Sequence, residues 1–341
     1  MDPIEALRRV SYLMDRGRLD SRRSEAFLKA ATALEALDPQ ELRTRIDNRT
    51  ITYVPGIGPS TASVIEQAAA GRVPDRIVEL EEQTRVPLGD GAELRQQLRG
   101  DCHSHTVASD GGADIATMAS SARALGHEFL VITDHSPRLT VAHGLTRDRL
   151  EAQLDEIAAL NEHFAPFRIL TGIEVDINID GTVDQDDDLL ARLDVVVASV
   201  HSKLRMESRA MTRRMIAAVS NPLVDVLGHC TGRRVEPMAL GPRVIRPQSE
   251  FDADAVFTAC TESGTAVEIN CRPERQDPPD DLLTRAVELG CLFSIDTDSH
   301  APGQLEFLNY GADRAVQHGV TPERIVTTWP MDSLLEWSHS E

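Results

Sequence analysis

The sequence predicts an α/β fold: a closed or nearly closed parallel βα barrel of seven units, preceded by a small all-helical module. Three observations carry this. From residue 100 onward, short apolar runs alternate with helix-like stretches of roughly 10–18 residues. Those runs are continuously apolar, as strands buried on both faces of a parallel sheet are. Before residue 100 the apolar positions recur only at helical spacing. An open doubly wound sheet is the competing arrangement.

The elements follow in order. Ile4, Leu7, Val10 and Met14 place a helix over 3–17, and Phe27, Ala31, Leu34 and Leu37 a second over 22–37. In YVPGIGPSTASVIEQ a Gly56-x-Gly58 turn opens a third helix that ends near Gly71. Residues 1–82 therefore form the helical module. Residues 83–99, with Pro87, Gly89 and Gly91, are a linker with a short helix. Seven strands are expected at 100–105, 128–135, 168–177, 194–202, 224–230, 265–271 and 291–300, within a barrel domain of residues 100–341. Residues 233–250 carry three prolines and no clean period, and are expected to form a long loop at the barrel mouth.

Composition narrows the function. The chain of 341 residues is 41% hydrophobic, enough for a sizeable core, and carries a net charge of −20. Residues 1–100 hold 15 Lys/Arg against 16 Asp/Glu, whereas residues 101–341 hold 20 against 39. The acidic part repels nucleic acid at long range, and bound cations would partly neutralise it. Five cysteines without a CxxC pair exclude a zinc ribbon and a disulfide framework, and read as reduced thiols. The amphipathic N-terminus lacks a signal core and no apolar run reaches about 18 residues, so a cytoplasmic protein without a membrane span is expected.

The chemistry lies at the strand ends. His103 and His105 end the first strand, with Asp110 just beyond. His135, Glu174, His201 and His229 end the next four, and Asp298 and His300 the seventh. In a parallel barrel all C-terminal strand ends open on one face, so nine side chains are expected to converge there. One such histidine is ordinarily a core or loop residue, but nine together argue for ligation. Imidazole with carboxylate suits more than one Zn, Mn or Fe ion. Such ions suit displacement at phosphorus: one generates hydroxide, and the others stabilise the leaving and non-bridging oxygens. Arg233, close behind His229, is a candidate for a phosphate oxygen. At the Gly56–Gly58 turn, the exposed N–H groups offer a phosphate cradle at a helix N-terminus, with Ser60 beside it.

The motifs HSH…SDG, ITDHS, GIEVDI, SVHS, LGHCTGR, EIN and DTDSH resemble the PHP (polymerase and histidinol phosphatase) family over residues 100–337. They are most similar to the PHP domain attached to bacterial family X DNA polymerases. The resemblance implies a distorted seven-stranded barrel with three divalent ions. One would take His103, His105, Glu174 and Asp298. A second would share Glu174 and add His201 and His229. The third would use Asp110, His135 and His300. The N-terminal module is similar to the helical domain of the same polymerases, with a helix-hairpin-helix at Gly56–Ser60.

Two departures matter. No polymerase palm lies between the two parts, so polymerase activity is not expected. Where the animal enzymes carry lyase lysines, this chain has Ser60 and Val64, and Schiff-base chemistry needs an amine. Cys102 and Cys230 beside ligand histidines read as small hydrophobes rather than redox sensors. The expected activity is metal-dependent hydrolysis at nucleic-acid 3′ ends, as a 3′-to-5′ exonuclease or 3′-phosphatase, by a metal-bridging hydroxide. His103, His105, Glu174, Asp298 and Arg233 are the candidate catalytic residues. The alternatives are a small-molecule phosphatase of the histidinol-phosphatase type and a non-catalytic DNA-binding adaptor.

Overall fold

The computed structural model describes residues 1–238 and 242–339. It divides into two units, one of Met1–Val86 with Ala301–Gln304, the other of Pro87–His300 with Leu305–Glu341.

The first unit is helical: α1 (Pro3–Arg16), α2 (Ser21–Glu35), α3 (Pro39–Asp47), α4 (Pro59–Ala69) and α5 (Asp75–Gln83). Asp2, Asp20 and Asp38 cap the first three through side-chain bonds to exposed backbone N–H groups. Leu7, Val10, Leu13, Leu34, Ile65 and Leu80 belong to one buried cluster. The apolar pattern does not separately announce α3 and α5. α3 buries no side chain, so it has no apolar stripe to read.

The second unit carries α6 (Ala92–Gln97) and α7 (Ile115–Ala124) before its first strand. Then come β1 (Phe129–Ile132), α8 (Arg147–Phe164), β2 (Arg168–Asp176), α9 (Asp187–Leu190), β3 (Val195–Ser199), α10 (Ser208–Val219) and β4 (Val226–Leu227). A hairpin of β5 (Arg234–Glu236) and β6 (Arg243–Arg246) leads to α11 (Ala253–Ser263), β7 (Ala266–Asn270), α12 (Asp280–Glu288), β8 (Phe293–Asp296), α13 (Leu308–Gln317) and α14 (Met331–Ser338). The main sheet has six parallel strands in the order β1-β2-β3-β4-β7-β8. One face of β1 buries Phe129 and Val131 with Val195, Val197, Val226 and Ala266; the other buries Leu130 and Ile132 beneath α7 and α8.

Two expectations need correction. The stretch 100–105 is not a regular strand. It does run between the two edge strands: Val131 N–H donates to Asp101 O (2.9 Å), and His105 N–H to Ser299 O (2.8 Å). Bonding to both edges curls the sheet towards a barrel. Its own ladder is interrupted because side chains take its N–H groups: Asp296 takes that of Cys102 (2.8 Å), Asp101 that of His103 (3.0 Å) and Thr133 that of Ser104 (3.0 Å). The stretch 233–250 is not all loop. It contains the β5–β6 hairpin, whose β6 face is exposed and so lacks the apolar alternation by which a strand is read.

Asp225 yields a pH-dependent stability. It is 9% exposed, accepts the Val196 N–H (2.7 Å), and is pushed by burial from 3.8 to about 7. Between those values the folded chain holds a proton that the unfolded chain releases, so stability falls as pH rises through that window. Asp225→Asn is expected to remove the loss, adding roughly 1–3 kcal/mol above pH ~7 and little near pH ~4. Urea unfolding at both pH values checks this.

Candidate metal centre

Six of the nine side chains reach the centre from the C-terminal end of a strand or just beyond it. Glu174 sits in β2. His135 follows β1, His201 follows β3, His229 follows β4, and Asp298 and His300 follow β8. His103 and His105 come from the irregular segment, whose side-chain hydrogen bonds fix them rigidly. Asp110 lies on the turn beyond, where Gly111 N–H bonds Thr106 O (2.8 Å) and Gly112 N–H bonds His300 O (2.7 Å). A Cβ on Gly111 would lie 2.7 Å from His105 O, so this turn requires a glycine.

Glu174 is the hub. Its Oε2 lies 2.8 Å from His135 Nδ1, 3.4 Å from His103 Nε2 and 3.7 Å from His105 Nε2. Its Oε1 lies 2.9 Å from His229 Nε2 and 3.3 Å from His201 Nε2. Asp298 Oδ1 is 3.4 Å from His105 Nε2 and 4.0 Å from His103 Nε2. Asp110 Oδ1 is 3.5 Å from His135 Nε2 and 3.4 Å from His300 Nε2.

Three groups of donor atoms lie within 4.8 Å of one another: His103, His105 and Asp298; His135, Glu174 and His201; and His105, Asp110, His135 and His300. The geometry thus brings the nine close together, with His105 and His135 each in two of the groups. His229 is placed by Glu174 Oε1.

The residues fit divalent cations. Both Glu174 oxygens are buried without a hydrogen-bond donor, as are His103 Nε2, both ring nitrogens of His105, and those of His201 and His229. Such atoms are costly to bury unless something else satisfies them. Burial by itself would raise the Glu174 carboxyl, but His201, His103 and His135 outweigh it and hold it well below the usual range. Burial and then His300 and His135 push His105 down to about 3; burial and then Arg275 do the same to His229. His105 and His229 are thereby held in the neutral form that ligates a metal, whereas against burial Glu268 and Glu174 raise His103, and Glu174 raises His201 to about 9, so these two would give up a proton to an ion.

A further layer is not visible in the sequence pattern. Glu268 is fully buried: Oε1 meets His103 Nδ1 at 2.6 Å, and Oε2 accepts the backbone N–H of His229. Asn270 bridges Glu268 (3.2 Å) and Asp298 (3.1 Å). Asp176 accepts the His201 N–H (3.2 Å). Arg275 Nε lies 2.8 Å from Asp298 Oδ2, and Arg272 Nη1 lies 3.4 Å from Asp298 Oδ1 and 2.8 Å from His300 Nδ1. Against burial, Arg275 and Arg272 hold Asp298 well below the usual range. Asp298 itself has a left-handed backbone (φ 50°), rare for a residue other than glycine, and these bonds help to hold it. The EIN motif at 268–270 is the available signal for Glu268.

Arg233 is otherwise engaged. Its Nε donates to Arg275 O (3.0 Å) and its Nη2 to Gln276 O, so it braces the loop that supplies Arg275. Arg272 and Arg275 are the guanidinium groups at the cluster. In the helical unit, Gly56 has φ 89°, and the Gly58 N–H is taken by Thr61 Oγ1 (3.0 Å), which removes one donor from the expected cradle. Ser60 is exposed on the first turn of α4. All five cysteines are buried and unbridged, and burial pushes the Cys102 and Cys230 thiols up. Among the described residues no helix is long and apolar enough to cross a membrane.

The chain is similar to several known proteins. It is 39% identical over 228 residues to the DNA polymerase/3′-5′ exonuclease PolX of Bacillus subtilis strain 168, a match covering 66% of this chain and 39% of that protein. The chain therefore spans well under half of that relative's length. It is 26% identical over 241 residues to a probable phosphatase of Thermoanaerobacter sp. strain X514, covering 67% of this chain and 89% of that one. A solved structure of histidinol phosphate phosphatase from Lactococcus lactis, complexed with zinc, L-histidinol and phosphate, aligns with a TM-score of 0.48 at 18% identity, over 66% of this chain and 95% of that one. The family model described as PHP domain matches residues 101–272, just over half of the chain. The chain belongs to the PHP domain family.

Proposed function

We propose that this chain is a metal-dependent phosphoesterase acting on nucleic-acid 3′ ends, as a 3′-to-5′ exonuclease or 3′-phosphatase of the DNA-repair type. The observation that carries the hydrolytic reading is the buried Glu174 carboxylate, whose two undonated oxygens meet five imidazoles. The 39% identity with a protein named as a 3′-5′ exonuclease supports the polymer reading. We also assign the turn at Gly56, Gly58 and Ser60 of the helical unit to contact with the phosphate backbone, through groups other than the Gly58 N–H, which Thr61 takes.

His103, His105, Asp110, His135, Glu174, His201, His229, Asp298 and His300 would hold three ions, Mn, Zn or Fe. Such ions activate water near neutral pH and neutralise charge developing on phosphate oxygens. The chain's own groups do the rest. Glu268 holds His103 with Nε2 towards the centre. Arg272 and Arg275 restrain Asp298 and add positive charge beside it.

A second reading, hydrolysis of small phosphate esters, is favoured by the probable phosphatase, most of whose length this chain matches. End-labelled DNA and RNA and a panel of small phosphomonoesters, incubated with the full chain and Mn²⁺ or Zn²⁺, decide between them. The expected result is shortening or dephosphorylation from 3′ ends, abolished by chelation and restored by metal. Turnover confined to small esters would establish the second reading, and no turnover by metal-loaded protein would contradict both.

A further inference from the structure

The positive charge of the acidic unit is concentrated. Of the 20 Lys/Arg in residues 101–341, nine lie between residues 201 and 246, where only Glu207, Asp225 and Glu236 oppose them. Residues 200–207 connect β3 to α10 and residues 228–252 connect β4 to α11. Both connections therefore leave the C-terminal end of the sheet, the end that carries the metal centre, and each has a ligand histidine, His201 or His229, as its second residue.

The nine divide by what they do. Arg214 is buried, and its guanidinium donates to the carbonyls of Ile177, Asn178 (2.9 Å) and Ser202 (2.8 Å). Arg233 braces the 275–276 loop, Arg246 donates to Gly232 O (2.7 Å), and Arg243 pairs with Glu236. Lys203, Arg205, Arg209, Arg213 and Arg234 are exposed, and none has a carboxylate within ion-pair distance among the described residues. Elsewhere in this unit Arg147, Arg192 and Arg285 are paired with acids, while Arg138 and Arg168 are exposed, isolated and, among the described residues, unpaired. What sets the five apart is that they cluster at the end of the sheet that carries the metal centre, where an anion from outside would meet several at once.

The hairpin adds a second chemistry. Val244 and Ile245 of β6 are 61% and 58% exposed. The hairpin's base is joined to the site, since Val235 N–H donates to Glu274 O (2.7 Å), one residue before Arg275. Cations beside exposed apolar side chains suit a chain of phosphates with attached bases, because every base offers an apolar face. A lone phosphomonoester offers too few charges to need five separate cations.

We propose that the β3–α10 connection and the described residues of the β4–α11 connection form the track on which a single nucleic-acid strand lies as its end enters the metal centre. Lys203 and Arg205, Arg209 on the first turn of α10, and Arg234 on β5 meet successive phosphates, and the exposed apolar side chains of β6 meet the bases. This rests on the nucleic-acid reading above and names the surface that realises it.

The test uses the full chain and a fluorescent single-stranded oligodeoxynucleotide with phosphorothioate linkages at its 3′ end, so that binding is read apart from cleavage. Against wild type, the triple substitution Lys203→Glu, Arg205→Glu, Arg234→Glu is expected to weaken binding by roughly tenfold or more. It should also flatten the dependence of log affinity on log salt by about 0.7 for each phosphate that the variant no longer neutralises. Arg168→Glu, at the N-terminal end of β2, is the control and should change affinity by less than Arg234→Glu alone. Equal effects of Arg168→Glu and Arg234→Glu, or wild-type affinity and salt slope in the triple variant, would overturn the track. Cleavage of unmodified oligonucleotide by wild type, measured in parallel, reports on the nucleic-acid reading itself. If wild type cleaves the strand and the triple variant binds it as well as wild type does, the reading stands and the track falls.

Discussion

Glu174→Gln is expected to lower phosphate-ester hydrolysis by roughly a thousandfold or more, whichever ester is the substrate. The amide keeps the shape of the carboxylate but removes its charge. It also turns an N–H₂ group towards imidazole nitrogens at 2.8–3.7 Å. Five of the nine side chains lie against this one carboxylate, and each of the three donor groups contains at least two of them, so its loss affects every group at once. Turnover of a small ester and of an oligonucleotide should fall together. The metal-free fold should persist, because Gln introduces no change of volume and the surrounding strands bury Ile173 and Val175 as before.

Glu268→Gln is the second large effect, and it acts at one remove. Glu268 meets the ring nitrogen of His103 that faces away from Glu174, and it also receives the His229 N–H. It therefore sets which His103 nitrogen is available, and raises the basicity of that ring. Removing a partner of this kind costs about 10–100-fold in metal affinity. Titration of metal-free variant against a competing chelator should show that loss, with turnover returning to within several-fold of wild type at saturating metal. Unchanged affinity with lower turnover would instead place Glu268 in the reaction itself. A merely structural role would lower thermal stability without changing metal affinity.

How much of this is legible in the sequence depends on distance along the chain. His135, Glu174, His201 and His229 can be read because each closes an apolar run, and a parallel sheet gathers its C-terminal ends without further information. Glu268 cannot be assigned in the same way. It too lies in an apolar strand, but its partner His103 is 165 residues away. Only the sheet order, which sets β7 beside β8 and brings residues 101–105 beside both edges, makes them neighbours.

The engagement of Arg233 is hidden for a related reason. Adjacency to His229 in sequence suggests the site, but positive φ at Gly232 turns the chain there, and the guanidinium is spent on backbone carbonyls. The fold shows the same pattern. Six apolar runs form strands because burial on both faces leaves a continuous signature. The run at 100–105 does not, because Asp101, Thr133 and Asp296 replace its ladder partners, and no periodicity records that substitution. The β5–β6 hairpin is hidden for the opposite reason, being too exposed to show a buried face.

The central claim is that Glu174 organises a centre of several metal ions. Elemental analysis of purified wild type and Glu174→Gln, after equilibration with Mn²⁺ or Zn²⁺ and removal of excess, tests it most directly. More than one tightly held ion per wild-type chain, approaching three, is expected, with a loss of at least one in the variant. Wild-type protein holding no ion, or a variant with the same complement as wild type, would contradict it.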